Sequence, residues 1–119
     1  MNNYALALIA VLSSAPDIAS AHAHLIRSTP QDGGELSGPV TTIVLSFTEA
    51  LEPELINIAV IADGKPISGL GAATLSSDGR TAKMAVPSST HNTYTVNWNV
   101  VSIDGHRTEG KFQFFVRGP

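Results

Sequence analysis

The sequence predicts an all-β fold, a β-sandwich or a Greek-key barrel. Three observations carry the prediction. Short runs alternate apolar and polar side chains. Turn-forming Gly, Asp and Pro residues punctuate those runs at intervals of roughly ten residues. No stretch carries a helical period of apolar residues.

The elements follow in order. Thr42-Ile43-Val44-Leu45-Ser46-Phe47 alternates, which places Ile43, Leu45 and Phe47 on one face of a strand. Pro53, between Glu52 and Glu54, marks a connection between strands. Ile56-Asn57-Ile58-Ala59-Val60-Ile61 is a second β-branched run, closed by the tight turn Ala62-Asp63-Gly64-Lys65. Ala73-Thr74-Leu75 and Thr81-Ala82-Lys83-Met84-Ala85-Val86 flank Ser76-Ser77-Asp78-Gly79-Arg80, a hairpin with Asp-Gly at its centre. Pro87 to Asn92 reads as a polar loop. From Thr93 to Val101 the alternation is regular, with Tyr94, Val96, Trp98 and Val100 facing one way and Thr95, Asn97 and Asn99 the other. Gly110 to Val116 forms the last strand, with Phe112, Phe114 and Val116 on its apolar face. Trp98 reads as a sandwich-core tryptophan and Met84 as a core or edge side chain.

The N-terminus has a different character. Ala5-Leu6-Ala7-Leu8-Ile9-Ala10-Val11-Leu12 is apolar but too short to span a bilayer, and the small-x-small site Ala19-Ser20-Ala21 follows it. The segment before it, Met1-Asn2-Asn3-Tyr4, lacks the Lys or Arg usual in a leader. The expectation is a secretory signal peptide over residues 1–21, removed before His22, and one exported domain over residues 22–119. Removing 21 of the 119 residues leaves 98, enough for one core and too few for two. With Asp17 gone, 9 of the 10 acidic side chains remain against 7 Lys and Arg. No basic patch follows, so nucleic acid is not an expected partner. The absence of cysteine removes disulfides, thiolate ligands and a Cys nucleophile. The expected domain holds one methionine, Met84, and a lone thioether is a poor Cu(I) trap.

Cleavage before His22 gives that residue a chemistry it lacks inside a chain. A terminal histidine offers a metal its α-amine and its ring Nδ1 together, closing a chelate ring. Asp104-Gly105-His106 supplies a second imidazole and a carboxylate, the latter bound directly or placed just outside the metal. Residues i and i+2 of an extended segment face the same way, and Gly105 permits a bend that brings both inward. Nitrogen and oxygen donors of this kind suit tetragonal Cu(II). Zn(II) also accepts imidazole and carboxylate, but the chelating amine and the Irving–Williams order tilt the set toward copper. His24 competes for the same amine: amine, two deprotonated amides and a third-position histidine can wrap Cu(II) in a square plane. Entry of residue 24 into the first strand engages its amides and argues against that mode, which leaves His24 as a residue just outside the metal's ligands or on the surface. His91 lies in the polar loop and reads as solvated. Ser102 and Arg107 flank the Asp-x-His pair; either could hydrogen-bond just outside the metal's ligands, and no role is assigned to either.

The same residues carry a family resemblance. The succession runs from His22-Ala23-His24-Leu25 and Ser28-Thr29-Pro30 to Leu45-Ser46-Phe47-Thr48-Glu49. It closes with Tyr94-Thr95-Val96-Asn97-Trp98-Asn99-Val100-Val101-Ser102-Ile103-Asp104-Gly105-His106. In order and spacing this is similar to the CopC-type periplasmic copper-binding proteins, over nearly the whole expected domain. The resemblance implies an immunoglobulin-like Greek-key sandwich of about seven strands, holding one Cu(II) tightly in the periplasm. It implies as ligands the terminal histidine, through amine and imidazole, with the Asp and His of the Asp-x-His motif: here His22, Asp104 and His106. Some members add a Met-rich loop for Cu(I); this sequence has none and resembles the subclass with the Cu(II) site alone. Glu49 matches an acidic position of the family pattern, where it either hydrogen-bonds His22 or ends its strand in solvent.

Three functional readings follow. The leading one is a non-enzymatic, monomeric copper protein. It buffers or chaperones Cu(II) in copper resistance or transport and passes the ion to an inner-membrane copper transporter or another periplasmic copper protein. The second is an enzyme, because copper-dependent polysaccharide monooxygenases use the same amine-and-ring chelate. Against it stand the small domain, aromatics on core-facing strands, and a carboxylate where oxygen activation needs an open position. The third is an immunoglobulin-like interaction module with incidental histidines, which the fold alone permits. No serine triad or phosphate loop is visible.

Overall fold

A computed structural model describes residues 23–89 and 92–117. The expected leader, His22 and His91 lie outside the described residues. The strands are β1 (Leu25–Thr29), β2 (Glu35–Leu36), β3 (Val40–Phe47), β4 (Asn57–Ala62), β5 (Lys65–Pro66), β6 (Thr74–Leu75), β7 (Thr81–Ser89), β8 (Thr93–Val101) and β9 (Arg107–Val116). They form a four-stranded sheet in the order β1-β3-β7-β6 and a five-stranded sheet in the order β2-β9-β8-β4-β5. The all-β sandwich predicted from the alternation is therefore present. Nine strands stand where about seven were expected, because β2 and β5 are two-residue strands that alternation cannot reveal, whereas β6 is the short arm of the expected hairpin. Pro53–Leu55 forms a single 3-10 turn in the expected connection.

Alternation becomes packing in the expected way. Ile43, Leu45 and Phe47 of β3 and Tyr94, Val96, Trp98 and Val100 of β8 are buried, with Phe112, Phe114 and Val116 of β9. Burying each such side chain contributes about 1.5–3 kcal/mol, and a domain without cysteines rests on this term. Tyr94 stacks on Phe114 with ring centroids 4.9 Å apart, and Phe47 meets Trp98 edge-on at 5.2 Å. Gly110 lies opposite Trp98 in the β8–β9 ladder, and a Cβ there would stand 2.6 Å from the indole. The missing side chain is what admits the ring. Met84 takes the core position.

Two expectations change. The segment read as a polar loop from Pro87 begins later, since β7 continues through Ser89, which pairs with Val40. Proline breaks a central strand by withholding a donor, but β6 covers β7 only at Ala82 and Lys83, so Pro87 lies where that edge is open. Second, Asp104-Gly105-His106 is a turn between β8 and β9 rather than an extended segment.

Candidate metal centre

Three segments meet at one end of the sandwich: the entry to β1, the stretch after β3, and the β8–β9 turn. The entry is fixed by Ala23, fully buried, whose carbonyl accepts a hydrogen bond from Thr108 Oγ1 on β9 at 2.8 Å. His24 is exposed at its side chain, yet its N–H donates to Thr48 Oγ1 at 2.9 Å and its carbonyl accepts from Thr48 N–H at 2.9 Å. The stretch after β3 then runs between two turns. Leu51 N–H donates to the Gly79 carbonyl at 2.9 Å, while Ile103 N–H donates to the Ala50 carbonyl at 3.0 Å.

The β8–β9 turn brings the Asp-x-His pair together. Gly105 has φ +91°, a left-handed conformation that favours glycine, and its N–H closes on the Ser102 carbonyl at 2.8 Å. Ser102 N–H donates to the His106 carbonyl at 2.9 Å. This folding-back sets His106 Nδ1 3.2 Å from Asp104 Oδ2, with both side chains about half exposed. The other carboxylate oxygen, Oδ1, accepts from the Ser102 hydroxyl, which is itself buried. That hydrogen bond, reinforced by His106, outweighs desolvation and holds the Asp104 carboxyl below its ordinary value. The carboxylate is thus ionised at neutral pH and ready for a cation. Arg107 turns away to Asn99 Oδ1 at 2.7 Å.

The structure therefore brings Asp104 and His106 together and places Glu49 on the same cleft as Asp104. Glu49 lines a cleft of about 560 Å³ with Asp78, Arg80, Ser102, Ile103 and Asp104. Among the described residues no three His, Asp or Glu side chains converge to hold a metal. Sequence reasoning named Ser102 as a candidate just outside the metal's ligands without assigning it a role and passed over Thr48 and Thr108; their hydroxyls hold the carboxylate and the entry to β1. For Ser102 a signal existed: Ser76-Ser77-Asp78-Gly79 and Ser102-Ile103-Asp104-Gly105 share one pattern.

Comparison with known proteins agrees with this architecture. Residues 25–117 match the CopC domain. Protein YobA of Escherichia coli (strain K12) is 32% identical over 118 residues, covering 96% of this chain and 93% of the relative. Copper resistance protein C of Xanthomonas campestris pv. juglandis is 36% identical over 107 residues, covering 83% of each. The crystal structure of CopC from Methylosinus trichosporium OB3b superposes with a TM-score of 0.75 at 25% identity, over 82% of this chain and 95% of that one. The chain belongs to the CopC domain family.

Proposed function

We propose that this protein is a periplasmic Cu(II)-binding protein, a buffer or chaperone in copper resistance or copper transport rather than an enzyme. Residues 1–21 direct export and are removed, and residues 22–119 form the working domain. One Cu(II) is held by the amine and ring of His22, by His106 and by Asp104. One observation carries the reading: the Asp104–His106 turn lies at the end of the sandwich where the chain is anchored one residue after His22.

The donor set fits the metal. With Nδ1–H of His106 directed at the Asp104 carboxylate, Nε2 carries the lone pair, the usual arrangement of a metal-bound histidine oriented by a carboxylate. Each carboxylate oxygen keeps a second lone pair, so Asp104 also brings negative charge to the ion. Copper resistance protein C, the Xanthomonas relative, supports the biological setting. Burial of Phe47, Tyr94, Trp98, Phe112 and Phe114 favours a carrier over an oxidase with an aromatic substrate platform. The ion passes on to an inner-membrane transporter or another periplasmic copper protein.

The test is electron paramagnetic resonance of protein beginning at His22, loaded with one equivalent of Cu(II). A tetragonal signal coupled to imidazole nitrogens, altered by His106→Ala, is expected. A signal unchanged by His106→Ala overturns the assignment.

A further inference from the structure

The peptide joining Ala23 to His24 is gripped at both ends. Its carbonyl accepts from Thr108 Oγ1 at 2.8 Å, and its N–H donates to Thr48 Oγ1 at 2.9 Å. Thr48 N–H closes a further bond on the His24 carbonyl. Thr48 follows β3 in the four-stranded sheet, whereas Thr108 belongs to β9 in the five-stranded sheet. One peptide is thus held by hydroxyls from both layers of the sandwich, with Ala23 sealed between them.

This peptide matters because the chain carries a second way to hold Cu(II), one that needs no fold. The amine of residue 22, the amide nitrogens of Ala23 and His24, and the His24 imidazole can form a square plane. In that mode Cu(II) replaces two amide protons, which pass to solvent. One of them is the His24 proton that is donated to Thr48. The mode also needs the Ala23–His24 peptide to turn around the ion, away from Thr108. The two arrangements are mutually exclusive at this peptide.

We propose that Thr48 and Thr108 are positioning residues that select the coordination of the metal. By keeping the Ala23–His24 peptide protonated and anchored, they exclude the square plane of the first three residues. They thereby commit the terminal donors to Asp104 and His106. This deepens the proposed function and rests on it.

The experiment uses the chain beginning at His22 with one equivalent of Cu(II) at neutral pH. Wild type is compared with Thr48→Val/Thr108→Val and with the hydroxyl-retaining Thr48→Ser/Thr108→Ser, each in His24→Ala and His106→Ala backgrounds. Visible absorption, circular dichroism and electron paramagnetic resonance report the donors, and Trp98 emission of the metal-free forms reports folding. In wild type and the serine form the spectrum is expected to depend on His106 and not on His24. In the valine form it shifts to higher energy, depends on His24, and affinity for the folded site falls about 10–100-fold. A folded valine form that keeps the wild-type, His106-dependent spectrum overturns the clamp while leaving the copper site standing. A valine form that does not fold transfers the test to Thr108→Ser and Thr48→Ser taken singly, where a His24-dependent spectrum overturns the claim that the hydroxyl selects. A wild-type spectrum that depends on His24 and not on His106 overturns both the clamp and the proposed site.

Discussion

Two turns of this molecule are built from the same pattern. Ser76-Ser77-Asp78-Gly79-Arg80 joins β6 to β7, and Ser102-Ile103-Asp104-Gly105-His106 joins β8 to β9. In each, the serine hydroxyl donates to Oδ1 of the aspartate two residues on. In each, the glycine N–H closes on the serine carbonyl, at 2.9 Å and 2.8 Å, and the glycine has positive φ, +73° and +91°. They flank the Ala50–Leu51 stretch, one from each sheet. They differ at the second residue, Ser77 against Ile103, and at the fifth, where the contacts to the aspartate diverge. Arg80 gives its backbone N–H to Asp78 Oδ1 at 3.1 Å, completing a turn that only closes a hairpin. His106 instead sets a ring nitrogen 3.2 Å from Asp104 Oδ2, the pair that the proposed function assigns to the metal. A local scaffold can thus be reused, with the residue after the glycine deciding what faces the aspartate.

The comparison can be broken most severely at that residue. His106→Arg makes the second turn like the first, removing an imidazole and placing a positive charge beside the ion. Cu(II) affinity, measured by competition, is expected to fall by at least about 100-fold, with the metal-free fold retained. Arg80→His is expected to leave the stoichiometry at one Cu(II), because residue 80 engages Asp78 through its backbone N–H and not through its side chain. A second tight site in Arg80→His contradicts this view.

The glycines sharpen it. Both need a left-handed backbone, which costs an alanine about 1–2 kcal/mol. A Cβ on Gly105 meets nothing within 4 Å, whereas one on Gly79 stands 3.2 Å from the Ala50 Cβ. Chemical denaturation is expected to show Gly105→Ala losing about 1 kcal/mol and Gly79→Ala at least about 2 kcal/mol. Equal losses count against the packing of Gly79 on Ala50.

A smaller effect separates the serines. Ser102→Ala frees Asp104 Oδ1 and loosens the carboxylate that orients His106, so Cu(II) affinity drops about tenfold. Ser76→Ala weakens its own hairpin and leaves Cu(II) affinity unchanged. The smallest effect is on acid stability. The Ser76 hydrogen bond, then Arg80, holds the Asp78 carboxyl below its ordinary value. Ser102, then His106, does the same for Asp104. A carboxyl depressed in the folded state adds stability above its unfolded value, near ~3.9, and loses it as pH falls through the folded value. Asp78→Asn and Asp104→Asn are therefore expected to be less stable than wild type at pH ~7, a gap that closes toward pH ~3. Unfolding curves at both pH values check the sign.

Much of this was legible in the sequence. The long strands were readable because one buried face enforces a period of two, as in Tyr94 to Val100. The adjacency of Asp104 and His106 was readable because their spacing is local. The parallel pairing of Glu35-Leu36 with Phe115-Val116 was not, because two residues hold no pattern. The extension of β7 over Pro87 depended on which edge was open, a tertiary fact. The hydroxyls of Thr48 and Thr108 were illegible for the same reason. Threonine is ordinary in and beside strands, and their partners lie 24 and 85 residues away in the chain.

The central claim is that the amine of His22 joins the Asp104–His106 turn around one Cu(II). The most direct test is a competitive Cu(II) titration of protein shown by mass to begin at His22, beside a form with one additional residue before it. Trp98 reports binding, since its ring lies on the inner face of β8, two residues from Val100, the partner of Thr108 in the ladder. The native start is expected to bind one Cu(II) at least about 100-fold more tightly than the extended form, with quenched Trp98 emission. Equal affinity in the two forms contradicts the account.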